Sequence, residues 1–289
     1  MKEMNFDIDN VSYFQDAKKR FLLNKAAFFG LVIIFSLIIL SIFVPMFSSY
    51  TYFETNLEIK NTPPSFKYFF GTDELGRDIF TRVFIGARIS LFIGIMAAII
   101  DIVIGVVYGA VSAYIGGVTD EIMMRIADVI ATVPYLLTVI LLMVVMGSGI
   151  TTIIIAITMT GWINMARIVR AQILTLKKMP FIEAAKIYGA SNLRIIFSHL
   201  LPNCTGSIIT TMTITIPLAI FTEAFLSFLG LGVQAPLASW GVMINDSLSA
   251  LRYYPYRLFF PAFMISITMF AFNLVGDGLR DALDPKAKK

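Results

Sequence analysis

The chain of 289 residues is 57% hydrophobic and 15% charged, with a mean hydropathy of +0.80, far more apolar surface than one water-soluble core could bury. It reads as an integral membrane protein of all-α class. The net charge of +4 does not mark a nucleic-acid binder, because Lys and Arg flank the apolar runs and do not gather in one patch.

Residues 1–25 read as a mostly polar tail. The apolar run that follows is span-length and lacks a small-residue cleavage site, so it reads as a signal-anchor helix and not as an export signal. A hydrocarbon core of about 30 Å needs roughly 20 apolar residues in helix, and on this basis the predicted spans are Ala26–Phe47, Ile89–Tyr114, Val133–Met146, Thr151–Ile168, Ser207–Phe228 and Leu258–Val275. The third is short, lying between Pro134 and Gly147, and reads as the continuation of an amphipathic surface helix that begins near Asp120. Residues 26–88 then form the first span with an extracytoplasmic loop, 89–276 the core transmembrane domain with a loop at about 169–203, and 277–289 a tail.

Basic residues are retained on the cytoplasmic side. Lys2, Lys18, Lys19, Arg20 and Lys25, then Arg167, Arg170, Lys177, Lys178, Lys186 and Arg194, then Arg280, Lys286, Lys288 and Lys289 all fall on one side of a six-span chain. That side is expected to be the cytoplasm, with both termini on it. The opposite loops carry Lys60, Lys67, Arg77 and Arg82 offset by Glu54, Glu58, Asp73, Glu74 and Asp78, and finally Arg252 and Arg257.

The connection from Arg167 to Asn203 is too polar to span and long for a simple turn. Pro180 suits the first turn of a helix, and Glu183 places a carboxylate near the positive end of its dipole. Ala184 and Ala185 permit close approach by a partner, and Gly189 suits the left-handed residue that ends a helix. Leu193, Ile196 and Phe197 supply apolar anchors before Pro202 opens the fifth span. Residue types alone favour an ordinary surface helix joining two spans.

Within the spans, Asp101 lies near mid-membrane, where an ionised carboxylate costs about 2.5–3.5 kcal/mol on insertion scales. Two readings stand: a pathway or gating group, or a buried carboxyl bonded to a neighbouring span. Thr211, Thr215 and Thr222 share one helical face about Pro217 and suit a polar wall of a translocation path, although threonines also bond back to their own helix. Gly105, Gly109 and Ala113 suit close helix packing. Glu223 reads as an outer-gate contact or as a solvated carboxylate at the interface. Arg125 with Asp128, and Arg280 with Asp277 or Asp281, read as interface or helix-end charges. The single cysteine, Cys204, excludes an internal disulfide, and the lone histidine, His199, leaves too few ligands for a transition-metal site. No catalytic residue and no metal ligand is expected.

The order Glu183-Ala184-Ala185, three residues, Gly189, then a stretch closing in Leu201-Pro202 resembles the coupling motif of binding-protein-dependent ABC importer permeases. His199 departs from the aliphatic residue of the general motif but is often found in the peptide-importer branch. Phe70–Asp78, Gly86–Ser90, Asp120–Asp128, Glu223–Gly232, Ser239–Gly241 and Asn273–Pro285 are similar to blocks of the oligopeptide/dipeptide branch, the later ones to its C-type member. Only the first twenty or so residues and the region from Tyr50 to Ser65 carry no recognised motif.

The resemblance implies a type I ABC importer permease fold of six transmembrane helices. It also implies an ATPase-coupling set of Glu183, Ala184, Ala185, Gly189, His199, Leu201 and Pro202. The implied partners are a second, homologous permease, two ATP-binding subunits that use ATP and Mg2+, and an extracytoplasmic binding protein, in addition to membrane lipid. No phosphate-binding loop of the Gly-x-x-x-x-Gly-Lys-Ser/Thr type occurs in the chain, so the permease is expected to be no enzyme itself. The implied cargo is a short peptide, with nickel or a metal chelate as the alternative in related permeases. The outer loop Arg252–Arg257 is expected to meet the binding protein or line the entry. An ion-coupled secondary transporter would predict inverted repeats around charged midplane sites, a pattern not seen, and a plain membrane anchor leaves the motif order unexplained.

Overall fold

The computed structural model describes residues 13–283. Lys2, Pro285, Lys286, Lys288 and Lys289 lie outside the described residues. Within them the chain is helical, with one isolated bridge between Thr72 and Asp78 in place of any strand. The helices are α1 (Tyr13–Leu23), α2 (Lys25–Phe47), α3 (Ile79–Ile115), α4 (Gly117–Thr132), α5 (Tyr135–Met146) and α6 (Ile150–Leu176). They continue with α7 (Pro180–Ile187), α8 (Asn192–Arg194), a π-helical turn (Ile195–Leu200), α9 (Leu201–Phe228), α10 (Trp240–Ser247) and α11 (Tyr256–Leu283).

Among the described residues, five helical stretches are long and apolar enough to cross a membrane: α2, α3, α6, the continuous Asn192–Phe228 helix and α11. The expected third span is different in form. Pro134 separates α4 from α5, and the two meet at 80°. A 12-residue α5 extends only about 18 Å, short of a core of about 30 Å, so a sixth crossing exists only if the bent pair is taken together.

The hub is α3, 37 residues long. It starts at Ile79 and not at Ile89 because Asp78 caps it, accepting from Thr81 N at 2.8 Å and Thr81 Oγ1 at 2.7 Å, and because its polar first turns are covered by the outer loops. At its other end α3 lies against α6. A methyl group added to Gly109 would sit 2.3 Å from the Ala166 carbonyl oxygen, and one on Gly105 2.6 Å from that of Trp162, so these two backbones touch as small residues in membrane helices allow. Gly30 gives α2 the same closeness to α11, 2.7 Å from Ala271 O.

Proline within a helix removes a donor and frees a carbonyl, which in lipid must find another partner. Pro45 in α2 leaves Ser41 O without its amide, and Arg88 of α3 supplies the donor: its Nε binds Ser41 O and its Nη2 binds Ile42 O at 2.7 Å. A charged residue beside an apolar helix is thereby satisfied by backbone oxygens.

An outer layer, so called because it caps the end of the helices away from the Arg167–Asn203 connection, is formed by the segment between α2 and α3, by α10 and by the start of α11. Arg77, Arg82 and Arg257 are all buried here. Arg77 Nε binds Asp73 Oδ2 at 2.7 Å, Arg82 lies 3.6 Å from Asp73 and 3.8 Å from Asp246, and Arg257 lies 3.2 Å from Glu74. Arg257 also donates to Asp246 O at 3.0 Å and Asn61 Oδ1 at 3.2 Å. Burial pushes the Asp246 carboxyl up, against the lowering pull of Arg82 and Arg77, because its contacts to both guanidiniums are long. These charges, counted as loop charges in the orientation reading, are structural ones, and Arg257 is not free to serve as an entry contact.

Candidate functional site

The polar connection forms a compact knob. Pro180 occupies the first turn of α7 and Glu183 follows in that turn. Its end is a Schellman cap: Ala190 N donates to Ala185 O and Gly189 N to Lys186 O, both at 3.0 Å. Gly189 holds φ +77°, the left-handed region where a side chain costs about 1–2 kcal/mol. No atom would meet its added methyl within 4 Å, so the need for glycine is purely conformational.

What fixes the knob is Ile182, fully buried among Val169 and Ile173 of α6, Ile195 and Leu200 of the π-helical turn, and Ala110 and Ala113 of α3. Ile196 also turns inward, at 8% exposure, so it belongs to this inner seam and not with the outward anchors. Polar ties add to it. Lys177 donates to Tyr114 O at 2.5 Å, and Tyr114 OH binds Asn192 Oδ1 at 2.7 Å. Arg170 grips Asp120 through two bonds of 2.6 Å. Asp128 pairs with Arg167 at 2.7 Å, not with Arg125.

The outward side is different. Ile187 is 79% exposed, Tyr188 90%, Leu193 68% and Phe197 60%, while Glu183 and Ala184 are exposed and Ala185 half-buried. An apolar cluster of this kind, rimmed by Glu183, Lys186 and Arg194, is the signature of a surface meant to be covered. His199 is half-buried, and its carbonyl accepts from Asn203 Nδ2 at 2.7 Å. The π-helical turn ahead of Leu201 and Pro202 widens the helix where proline would otherwise clash with the preceding turn.

A second site lies within the spans, a cavity of about 240 Å³ lined by Asp101 of α3, Tyr135 of α5, Thr160, Gly161 and Asn164 of α6, and Thr215 and Thr222 of α9. Gly161 lets the carboxylate lie against α6, since a methyl there would be 2.4 Å from Asp101 Oδ2. Asp101 Oδ1 and Tyr135 OH are both buried and without a hydrogen-bond partner. The bonded-carboxyl alternative for Asp101 therefore finds no neighbour on an adjacent span. The three threonines separate: Thr215 and Thr222 line the cavity, whereas Thr211 is buried elsewhere and donates to Ser207 O at 2.8 Å. Tyr135, Thr160, Gly161 and Asn164 were not singled out by the sequence; Asn164 could have been, as an amide within the apolar run of the fourth predicted span.

Glu223 is neither in this cavity nor solvated. It is 0% exposed and accepts from Ser90 Oγ at 3.0 Å and Ser227 Oγ at 2.7 Å. Ser90 Oγ also accepts from Trp240 N at 3.4 Å, and Trp240 Nε1 donates to Val83 O at 2.9 Å. This polar knot pins α3, α9 and α10 together.

Residues 92–289 match the family described as binding-protein-dependent transport system inner membrane component, and residues 12–64 match the N-terminal TM domain of oligopeptide transport permease C. The chain is 61% identical to the oligopeptide transport system permease protein OppC of Bacillus subtilis over 97% of its own length and 92% of the relative's. It is 55% identical to the dipeptide transport system permease protein DppC of the same organism, over 100% and 92%, and 43% identical to the OppC of Escherichia coli K12, over 97% and 93%. With its helical multi-pass architecture, the chain belongs to the binding-protein-dependent inner membrane components of type I ABC importers, in the C-type permease branch.

Proposed function

We propose that this chain is the permease subunit of an ATP-driven importer that carries short peptides inward across a bacterial or archaeal cytoplasmic membrane. The observation that carries the reading is the knob built on α7. It is anchored inside by Ile182 and left apolar outside by Ile187, Tyr188, Leu193 and Phe197, on a chain whose relatives are named oligopeptide and dipeptide permeases. In this reading two ATP-binding subunits, holding ATP and Mg2+, cover the outward face. A second permease completes the path, and an extracytoplasmic binding protein delivers cargo to the outer layer. The knob and both termini face the cytoplasm, in line with the distribution of Lys and Arg. The chain supplies no ATP chemistry of its own. The names of the relatives favour peptide over nickel or a metal chelate.

The test is uptake into proteoliposomes holding the complete assembly. ATP-dependent accumulation of a labelled di- or oligopeptide, with none of nickel, is the expected result. Uptake driven by an ion gradient in vesicles holding this chain alone overturns it.

A further inference from the structure

The cavity of about 240 Å³ between α3, α5, α6 and α9 sets the oxygen acceptors of Asp101, Thr215 and Thr222 among apolar side chains and the polar Thr160 and Asn164. Thr215 Oγ1 donates to Thr211 O at 3.0 Å and Thr222 Oγ1 to Leu218 O at 2.8 Å. A hydroxyl whose one proton is engaged in this way turns only lone pairs toward the space it faces. Asp101, only 2% exposed, and Tyr135 also line it, and Asp101 Oδ1 and the Tyr135 hydroxyl are buried without a hydrogen-bond partner. Buried polar groups are nearly always hydrogen-bonded, so two orphaned groups on residues that line one cavity point to a ligand there. Among the described residues no arginine or lysine lines the cavity. An anion, or a peptide carboxylate, would find no positive partner there.

We infer that this cavity is a subsite for a primary ammonium group of the transported peptide, taken by the Asp101 carboxylate with Thr215 and Thr222 as further acceptors. The inference rests on the peptide-importer reading and deepens it. An ammonium carries three N–H donors and no acceptor, the complement of the Asp101, Thr215 and Thr222 oxygens. Gly161 positions the carboxylate by leaving room for it against the α6 backbone. The Tyr135 hydroxyl, from the short helix after the bend, can donate to a peptide carbonyl. The ammonium could be the peptide's amino terminus or a lysine side chain.

The deciding experiment compares initial uptake by the complete assembly, binding protein included, of a free peptide, its N-acetylated form, and the N-acetylated form carrying one lysine. Each is measured for the natural chain and for Asp101→Asn, so that any preference of the binding protein cancels. The expected result is a fall of about tenfold or more in the ratio of free to acetylated uptake. Partial or full loss for the lysine peptide tells whether a side-chain ammonium also uses the site. An equal loss for all three peptides, or a loss for none, overturns the subsite. A ratio restored by raising sodium or potassium assigns the cavity to a monovalent cation and overturns it too. If Asp101→Asn fails to assemble, Thr222→Val decides by the same ratio. Failure of the natural chain to take up any peptide sinks the importer reading itself, an outcome separate from failure of the subsite.

Discussion

Replacing Ile182 with Ala separates the two sides of the knob. Ile182 is fully buried in the seam between α7, α6 and the π-helical turn. The change removes three carbon atoms, about 2.4 kcal/mol at roughly 0.8 per methylene, and with the cavity left behind about 2.4–5 kcal/mol. The loss falls on a short helix held mainly by this one side chain, so it raises the detached fraction of the knob by about 60- to 5,000-fold and leaves the global fold in place. The exposed face of Ile187, Tyr188, Leu193 and Phe197 is chemically unchanged. We therefore expect the ATP-binding subunits to remain associated, amide exchange at residues 181–190 to speed up, and uptake to fall far more than ATP hydrolysis. Tyr188→Ala gives the opposite pattern: normal exchange protection within the seam and weakened association of the ATP-binding subunits. The reasoning is refuted if Ile182→Ala leaves both exchange and the uptake-to-hydrolysis ratio as in the natural chain.

Gly189→Ala should weaken the end of α7 by about 1–2 kcal/mol through backbone strain alone, read as faster exchange at residues 185–190; equal effects of Ala and Asn would contradict this, since Asn tolerates the left-handed region better. Glu223→Gln keeps an oxygen acceptor for Ser90 or Ser227 and should assemble near normally, whereas Glu223→Leu strands serine hydroxyls at about 1–3 kcal/mol each, measured as loss of detergent-stable protein. Gly109→Leu should abolish assembly, since even a methyl would lie 2.3 Å from Ala166 O; normal yield of the variant would contradict the backbone contact between α3 and α6.

The apolar runs made most spans legible, because length and hydrophobicity alone decide what can cross lipid. Their ends were not. The start of α3 is hidden because Thr81 and Arg82 read as loop residues until the outer layer buries them. α6 runs to Leu176, past the expected Ile168, because its last turns are buried by the knob and not by lipid. The union of Arg77, Arg82 and Arg257 with Asp73, Glu74 and Asp246 joins positions more than 180 residues apart, and no local pattern announces it. The knob's ordered features, Pro180, Glu183 and Gly189, were legible because capping chemistry is local. The inward roles of Ile182 and Ile196 were not, since both depend on how α7 folds back on α6.

The Asn192–Phe228 helix leaves the knob and runs unbroken past Thr215 and Thr222 to Glu223. At 1.5 Å per residue it is a rod of about 55 Å, fixed near its far end by the Glu223 knot and near its base by Leu200 and Cys204 in the inner seam. A rod of that length turns small angles into large strokes: a 10° tilt about one end carries the other by about 10 Å. Its regular hydrogen bonding is interrupted at the π-helical turn and at Pro217, and of the two cavity threonines Thr215 lies between these points and Thr222 beyond both from the knob's side. The two threonines would then travel unequally in any swing, so that movement of the rod changes the shape of the space opposite Asp101 and not merely its position.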